Sequence, residues 1–179
     1  MAMLAAVTLA LTACSGNTNS QPDSAPVLKV TVNPASPQVG QKMTFNVSLM
    51  GGSGTWNVAL FNENPDGSVD QIYPNRLPDG LPTLTPGATL SFPPPDAKYF
   101  FIAGEPVGVN TLLAYATQKP LDLEGAGISR YDSAQAQFAS VVGQGAGTVE
   151  GPLLAKLKLL SPGVSNVVRY EVTNPQPTP

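Results

Sequence analysis

Met43–Leu49 reads MTFNVSL, and this stretch decides the fold class of the chain. Apolar residues occupy every second position and polar residues stand between them, which is the pattern of a β-strand with one buried face. Val27–Asn33 and Trp56–Asn62 show the same alternation before and after it. Segments rich in proline and glycine separate the three, so the sequence predicts consecutive strands joined by turns.

Further strands are predicted downstream. The turn Pro65–Gly67 precedes Val69–Tyr73, which we expect to be the returning strand of a hairpin. Additional strands are predicted at Gly87–Phe92, Lys98–Ala103, Val109–Thr117 and Val168–Val172. Seven or eight short strands, with turns about every ten residues, are typical of an antiparallel β-sandwich. The sequence therefore predicts a mainly β protein.

One or two short helices are predicted near the C-terminus. Asp132 or Ser133 is suited to cap a helix that runs through Val142. Pro152 suits the first turn of a second helix, because its fixed φ angle fits that position. Four leucines share one face of this second helix, namely Leu153, Leu154, Leu157 and Leu160.

The composition excludes several classes of chemistry. The chain has 179 residues, a net charge of −3, no histidine and a single cysteine, Cys14. Without histidine, Ser-His-Asp catalysis, Cys-His catalysis and His-ligated zinc are excluded. Only 12% of the residues are charged, so no basic patch is expected and nucleic acid is not a predicted partner.

The single cysteine ends a short apolar segment. Leu4–Ala13 is about ten residues long, too short to span a bilayer, which needs roughly 20, and it fits the core of a signal peptide. Leu11-Thr12-Ala13-Cys14 resembles the lipobox of bacterial lipoproteins. The resemblance implies that residues 1–13 are removed and that a diacylglycerol is attached to the sulfur of Cys14. The alternatives are an ordinary secretory signal with a chance cysteine and a buried N-terminal strand.

These features predict the organisation of the chain. Residues 14–26 are predicted to form a lipidated N-terminus and flexible linker, because Ser15–Pro26 is polar and lacks an apolar period. Residues 27–173 are predicted to form the β-sandwich domain, and residues 174–179 a disordered tail. A lipid-anchored, exported protein works in the cell envelope. Ser15 directly after the cysteine favours the outer membrane or cell surface over the inner membrane.

Several segments together resemble a bacterial family of envelope domains, the domain-of-unknown-function family numbered 4384. The segments that carry the resemblance are Val39–Gln41, Met43–Val47, Val58–Asn62, Pro65–Gly67, Ile72–Asn75, Gly87, Phe92-Pro93 and Asn110–Thr117. The resemblance covers about Val27 to Pro120. It implies an Ig-like β-sandwich in exported or membrane-linked proteins, and it brings no catalytic residues.

Tyr73, Asn75 and Arg76 form a candidate binding surface. Tyrosine and arginine are enriched at binding hot spots, and a loop after a hairpin is a common place for binding residues. In the alternative interpretation, which is favoured, Tyr73 packs inward and Pro74-Asn75 simply turns the chain.

Two loops resemble ligand-binding motifs. Asn62–Gly67 is similar to the first half of a calcium-binding loop, which makes Glu63, Asp66 and Asp70 weak calcium candidates. The twelfth position is Tyr73 instead of glutamate, so an ordinary hairpin turn is the favoured alternative. Gly143–Thr148 is glycine-rich but lacks the lysine of a phosphate loop, and a flexible connector is favoured there.

The sequence predicts a non-catalytic cell-envelope lipoprotein that acts as a structural or protein-binding accessory subunit of an outer-membrane or cell-surface assembly. Its expected partners are the membrane, through the lipid on Cys14, and another envelope or surface-layer protein. No cofactor other than the covalent lipid is expected. The alternatives are a module that binds cell-wall or surface polysaccharide and, in third place, a hydrolase using paired carboxylates.

Overall fold

The computed structural model describes residues 24–77 and 83–175. The predicted signal peptide, Cys14, most of the predicted linker and residues 176–179 of the predicted tail lie outside the described residues. Ser24 already contacts the domain, because its carbonyl accepts a hydrogen bond from the Gly52 amide at 2.7 Å. Within the described ranges, no helix is both long enough and apolar enough to cross a membrane.

The described residues form two antiparallel sheets that pack face to face, which confirms the predicted β-sandwich. In chain order the strands are β1 (Val27–Asn33), β2 (Lys42–Met50), β3 (Trp56–Glu63), β4 (Val69–Tyr73), β5 (Thr83–Leu84), β6 (Thr89–Phe92), β7 (Phe101–Ile102), β8 (Gly108–Thr117), β9 (Ser129–Arg130), β10 (Ala139–Val141) and β11 (Val164–Val172). The smaller sheet has the order β1-β2-β6, and β7 pairs with the start of β2. The larger sheet has the order β11-β8-β3-β4-β10-β9, and β5 pairs with β3.

The main core lies between the two sheets. The alternating apolar residues of β2 are all buried, from Met43 at 6% exposure to Leu49 at 0%. They pack against the inward face of β3, which carries Trp56 and Leu60. The alternation in Met43–Leu49 therefore predicted the correct buried face.

A second core covers the outer face of the larger sheet. Phe61 of β3 and Tyr115 of β8 point to this face and are fully buried. Residues from the segment after β8 cover them, including Ile128, Val149 and Leu157. As a result, β3 is buried on both faces and has the near-continuous apolar sequence of a central strand.

One helix covers this second core. A single π-helical turn, Val149–Leu153, leads directly into α1 (Leu154–Leu160), which confirms the helix predicted after Pro152. Leu153 and Leu157 are buried against the sheet, whereas Leu160 is 39% exposed. The predicted leucine face is therefore buried only in its first half.

The helix predicted from Asp132 or Ser133 through Val142 is wrong. Residues 139–141 form β10, which pairs with β4 on one side and with β9 on the other. The Ser133 hydroxyl does accept a hydrogen bond from the Ala136 amide at 3.1 Å, but only a local turn results. The edge of β4 offers backbone hydrogen bonds and a buried face, and tertiary pairing overrides the local capping signal.

Two shorter segments also differ from the prediction. Only Phe101–Ile102 of the predicted strand Lys98–Ala103 is paired. Thr83–Leu84 forms β5, although no strand is predicted there. Two paired residues are too few to show a period in the sequence.

Candidate functional site

A cavity of about 490 Å³ opens between the sheets at the end where β3 finishes and β8 starts. Its size falls in the range of ligand pockets, about 300–1,000 Å³. Both sheets and residues 100–106 line it. We call this cavity the groove.

Polar side chains form the floor of the groove. We call these five residues the polar floor: Asn62, Asn64, Asp70, Asn110 and Tyr170. The Asn62 amide donates to Oδ1 of Asn110 at 3.1 Å and to Oδ1 of Asn64 at 2.8 Å. Its own Oδ1 accepts the hydroxyl of Tyr170 at 2.9 Å. The Asn64 amide in turn donates to Asp70 at 2.9 Å. This network fixes the side-chain orientations of the floor.

Aromatic side chains form the opposite wall. The ring centroid of Phe101 lies 5.7 Å from that of Phe45 and 6.0 Å from that of Phe138. Next to Phe101, Phe100 is 51% exposed and Ile102 is 52% exposed, and we call these two residues the apolar rim. The Lys42 ammonium lies 3.8 Å from the centroid of the Phe100 ring, so the rim also carries a positive charge.

Two carboxylates line the same groove. Asp70 accepts its hydrogen bond from Asn64, and Glu105 accepts one from the backbone amide of Val107 at 3.0 Å. The groove therefore offers amides, a hydroxyl and carboxylates beside an apolar surface. This combination is suited to a ligand with both polar and apolar faces.

The structure separates the residues of the predicted binding surface. Tyr73 is only 5% exposed and its ring centroid lies 4.7 Å from that of Phe92, so the expectation of an exposed Tyr73 is wrong and the inward-packing alternative is correct. The Asn75 amide donates to the carbonyl of Ile72 at 2.9 Å, and its Oδ1 accepts the Leu77 amide at 3.0 Å. Asn75 therefore stabilises the turn.

Arg76 remains partly exposed. Its guanidinium lies 3.6 Å from the centroid of the Tyr131 ring and 3.8 Å from the carboxylate of Glu124. Burial raises the pKa of Tyr131, and the charge of Arg76 opposes that rise. Arg76 thus holds the segment after β8 against the larger sheet. Its role in binding stays a prediction.

The three calcium candidates are engaged in separate hydrogen bonds. Asp66 accepts the backbone amide and the hydroxyl of Ser68 at 2.9 and 2.6 Å, and these bonds hold the pKa of Asp66 below its ordinary value. The Gly67 amide donates to the Asn64 carbonyl at 2.9 Å, as in an ordinary hairpin turn. Across the described residues, no three His, Cys, Asp or Glu side chains form a metal-binding group. Calcium binding stays a prediction.

Glu63 contacts the glycine-rich loop instead. Its carboxylate accepts the amide of Gly147 at 2.7 Å and the amide of Val149 at 2.9 Å. Successive backbone amides in such a loop form an anion-binding concavity. In this chain the carboxylate of Glu63 occupies those amides, so the loop at Gly143–Thr148 is an internal anchor.

The polar floor and the apolar rim were not predicted from the sequence. The sequence did contain an indication of the polar floor. Asn62 lies two residues after the core-facing Leu60, and Asn110 lies two residues before the core-facing Leu112, so both asparagines are on the core-facing side of their strands. An amide at a core-facing position needs a buried partner or a ligand. The rim gave no such signal, since the short β7 shows no clear alternation.

Fold and groove together define an Ig-like β-sandwich with a ligand-sized cleft at one end. Residues 37–120 match the model of one family, described as Domain of unknown function (DUF4384). The family resemblance seen in the sequence is therefore confirmed over these residues. The match includes most of the polar floor and the whole apolar rim, but it ends before α1 and Tyr170. No curated protein and no solved structure matches the chain.

We expect the free energy of unfolding to fall as the pH rises above about 10, the ordinary pKa of tyrosine. Burial raises the pKa of Tyr170, although its bond to Asn62 opposes this, and burial also raises the pKa of Tyr73. As the pH rises, the unfolded chain loses its tyrosine protons before the folded chain does. The free energy of unfolding is therefore constant below about pH 10 with respect to these groups, and it falls as the pH approaches their raised pKa values in the folded chain. Urea unfolding on either side of about pH 10 measures this loss.

The matched variant for this measurement is Tyr170→Phe. It removes one of the buried tyrosine hydroxyls whose pKa is raised, so its stability should depend less steeply on alkaline pH than that of the parent chain. An identical slope in parent and variant would contradict the assignment.

Proposed function

We propose that the chain is a non-catalytic cell-envelope lipoprotein that acts as a structural or protein-binding accessory subunit of an outer-membrane or cell-surface assembly. The groove with its exposed apolar rim carries this proposal. Phe100 and Ile102 are large apolar side chains, each about half exposed, at the mouth of a cavity. Aromatic side chains of this kind, inserted between partners, supply much of the binding energy of protein interfaces.

The sequence supports export and anchoring. The short apolar segment that ends in Leu11-Thr12-Ala13-Cys14 resembles a lipobox, and a diacylglycerol on Cys14 would hold the domain at a membrane. One acyl chain binds a bilayer only marginally, whereas two give stable anchoring. Serine after the cysteine favours the outer membrane or the cell surface.

The rim is tested by crosslinking in the native envelope. A photo-reactive amino acid replaces Phe100 in one variant and Val109 in the matched control. Val109 is 55% exposed and lies near the same end of the sandwich, but its side chain belongs to the opposite face of the larger sheet from Asn110. We expect one defined protein adduct from position 100 and none from position 109.

A second substitution makes the test specific. Ile102→Ser removes half of the apolar rim without touching the core, so it should reduce the yield of the adduct from position 100 several-fold. Equal adducts from positions 100 and 109, or an adduct insensitive to Ile102→Ser, would show that the rim is not the partner's binding surface.

The polar floor favours a second candidate, a module for cell-wall or surface polysaccharide. Fixed amides, a carboxylate and a tyrosine hydroxyl beside aromatic rings are the groups that recognise sugar hydroxyls and their apolar faces. A pull-down with purified wall material, compared between the parent chain and Phe100→Ala, tests this function. Release of new sugar ends in the same assay, abolished by Asp70→Asn, would instead favour the carboxylate hydrolase.

A further inference from the structure

The strand directions place the groove and the N-terminal linker at opposite ends of the sandwich. β3 and β8 are antiparallel, so Asn57 pairs with Thr117 at one end and Glu63 pairs with Thr111 at the other. The groove lies at the end of Glu63, since Asn62 and Asn110 line it. The described chain begins at Ser24, which bonds to Gly52 just before β3 starts at Trp56. We call this second end the linker end.

Hydrogen bonds also bring the C-terminus of α1 to the linker end. The Gln118 amide donates to the Ser53 carbonyl at 2.9 Å, which ties the end of β8 to the turn before β3. Thr117 and Ser161 share a hydroxyl–hydroxyl hydrogen bond at 2.7 Å, and Ser161 directly follows Leu160 of α1. The start of β1, the end of β2 and the end of α1 therefore lie at the same end of the sandwich.

Exposed apolar side chains lie at this end as well as at the rim of the groove. Val27 is 53% exposed and its register partner Met50 is 57% exposed. Leu159 of α1 is 87% exposed, and Leu160 is 39% exposed. Single exposed apolar residues are ordinary on protein surfaces, whereas a group of them marks an interaction surface. The linker end carries one such group, and the apolar rim of the groove is another.

Positive charge accompanies these apolar side chains. The exposed lysines are Lys119 after β8, and Lys156 and Lys158 on α1. The acidic residues nearest to these lysines along the chain are Asp122 and Glu150, and the charge of Glu150 is paired with Arg169. Exposed leucines beside lysines are the combination that binds an anionic lipid surface.

We infer that the linker end docks on an anionic bilayer and that the groove faces away from it. This inference rests on the proposed lipid on Cys14, which lies only ten residues before Ser24. Ten residues of chain span at most about 35 Å even when fully extended. The lipid therefore holds the linker end close to the bilayer, where Leu159 and Met50 reach the headgroups and the groove stays open to a partner.

The test uses the lipidated chain in vesicles of phosphatidylethanolamine and phosphatidylglycerol. A lipidated Cys14 has no free thiol, so a single new cysteine takes a fluorescent label at one site. The labels are placed with Leu159→Cys and Met50→Cys at the linker end, and with Val109→Cys at the groove end as the control of similar exposure. We expect a lipid-phase quencher to reduce fluorescence several-fold more at positions 159 and 50 than at 109, and an aqueous quencher to do the reverse.

Two results would overturn the inference, and they are distinguishable. A free thiol in the unsubstituted chain shows that Cys14 is not lipidated, which removes the anchoring and this inference with it. A lipidated Cys14 with equal quenching at positions 159, 50 and 109 leaves the anchoring intact but shows that the domain has no preferred end towards the bilayer.

Discussion

Gly163→Ala is expected to destabilise the domain by about 3 kcal/mol, the upper part of the usual range for overpacking a closed core. A methyl group at position 163 would lie 2.9 Å from Cζ of Tyr115 and closer still to the backbone oxygen of Ala116. Neither neighbour has room to move. The Tyr115 side chain is fully buried, and its hydroxyl donates to the Ser161 carbonyl at 2.5 Å.

Urea unfolding of the variant measures this effect, and Gly104→Ala is the matched control. A methyl group at Gly104 meets no atom within 4 Å, and its φ lies outside the left-handed region, so the control should change stability by less than about 0.5 kcal/mol. Equal stability of the two variants would show that α1 and β11 rearrange easily. The close approach at Gly163 would then not be a fixed feature of the second core.

The longer strands of the sandwich were predictable because apolar side chains recur at their core-facing positions. Alternation in Met43–Leu49 reports which side chains meet the opposite sheet, and this information is local. The second core was not predictable in the same way. Phe61 and Tyr115 need the segment after β8 to cover them, and that segment carries no period that says where it folds back.

The failed helix at residues 132–142 shows the same limit. A capping serine and a few apolar residues describe a helix as well as they describe a short strand. The pairing of β10 with β4 decides between them, and this contact joins residues that are far apart in the sequence. Local signals are overridden when a free strand edge is available.

The candidate site was predictable only in fragments. Asn62 and Asn110 stood at core-facing positions, so a buried polar network was foreseeable, but their meeting across β3 and β8 depends on strand register. The apolar rim depends on how residues 100–106 fold over the groove. Tyr73 was open to two interpretations, because a tyrosine beside a predicted turn can face solvent or the core, and its packing against Phe92 decides for the core.

Glu63 is the residue whose role the sequence described least well. As part of Asn62–Gly67 it resembled a calcium ligand, but its carboxylate accepts the amides of Gly147 and Val149 and is 9% exposed as a residue. A carboxylate can accept both amides, whereas the glutamine side chain has one acceptor oxygen and turns an NH₂ group towards the second donor. Loss of a hydrogen bond to a charged group costs about 1.5–3 kcal/mol, and an unsatisfied buried amide adds to it.

Glu63→Gln is therefore expected to lower the free energy of unfolding by about 3 kcal/mol and to speed hydrogen exchange at the amides of Gly147 and Val149. Glu124→Gln is the matched control, because its ion pair with Arg76 is long, at 3.8 Å, and exposed, so the loss should stay below about 1 kcal/mol. A calcium ligand would behave differently: the substitution would weaken calcium binding and leave exchange at both amides unchanged in calcium-free buffer. Fast exchange without calcium in the variant alone identifies Glu63 as the anchor that joins the hairpin of the family domain to the helix covering its outer face.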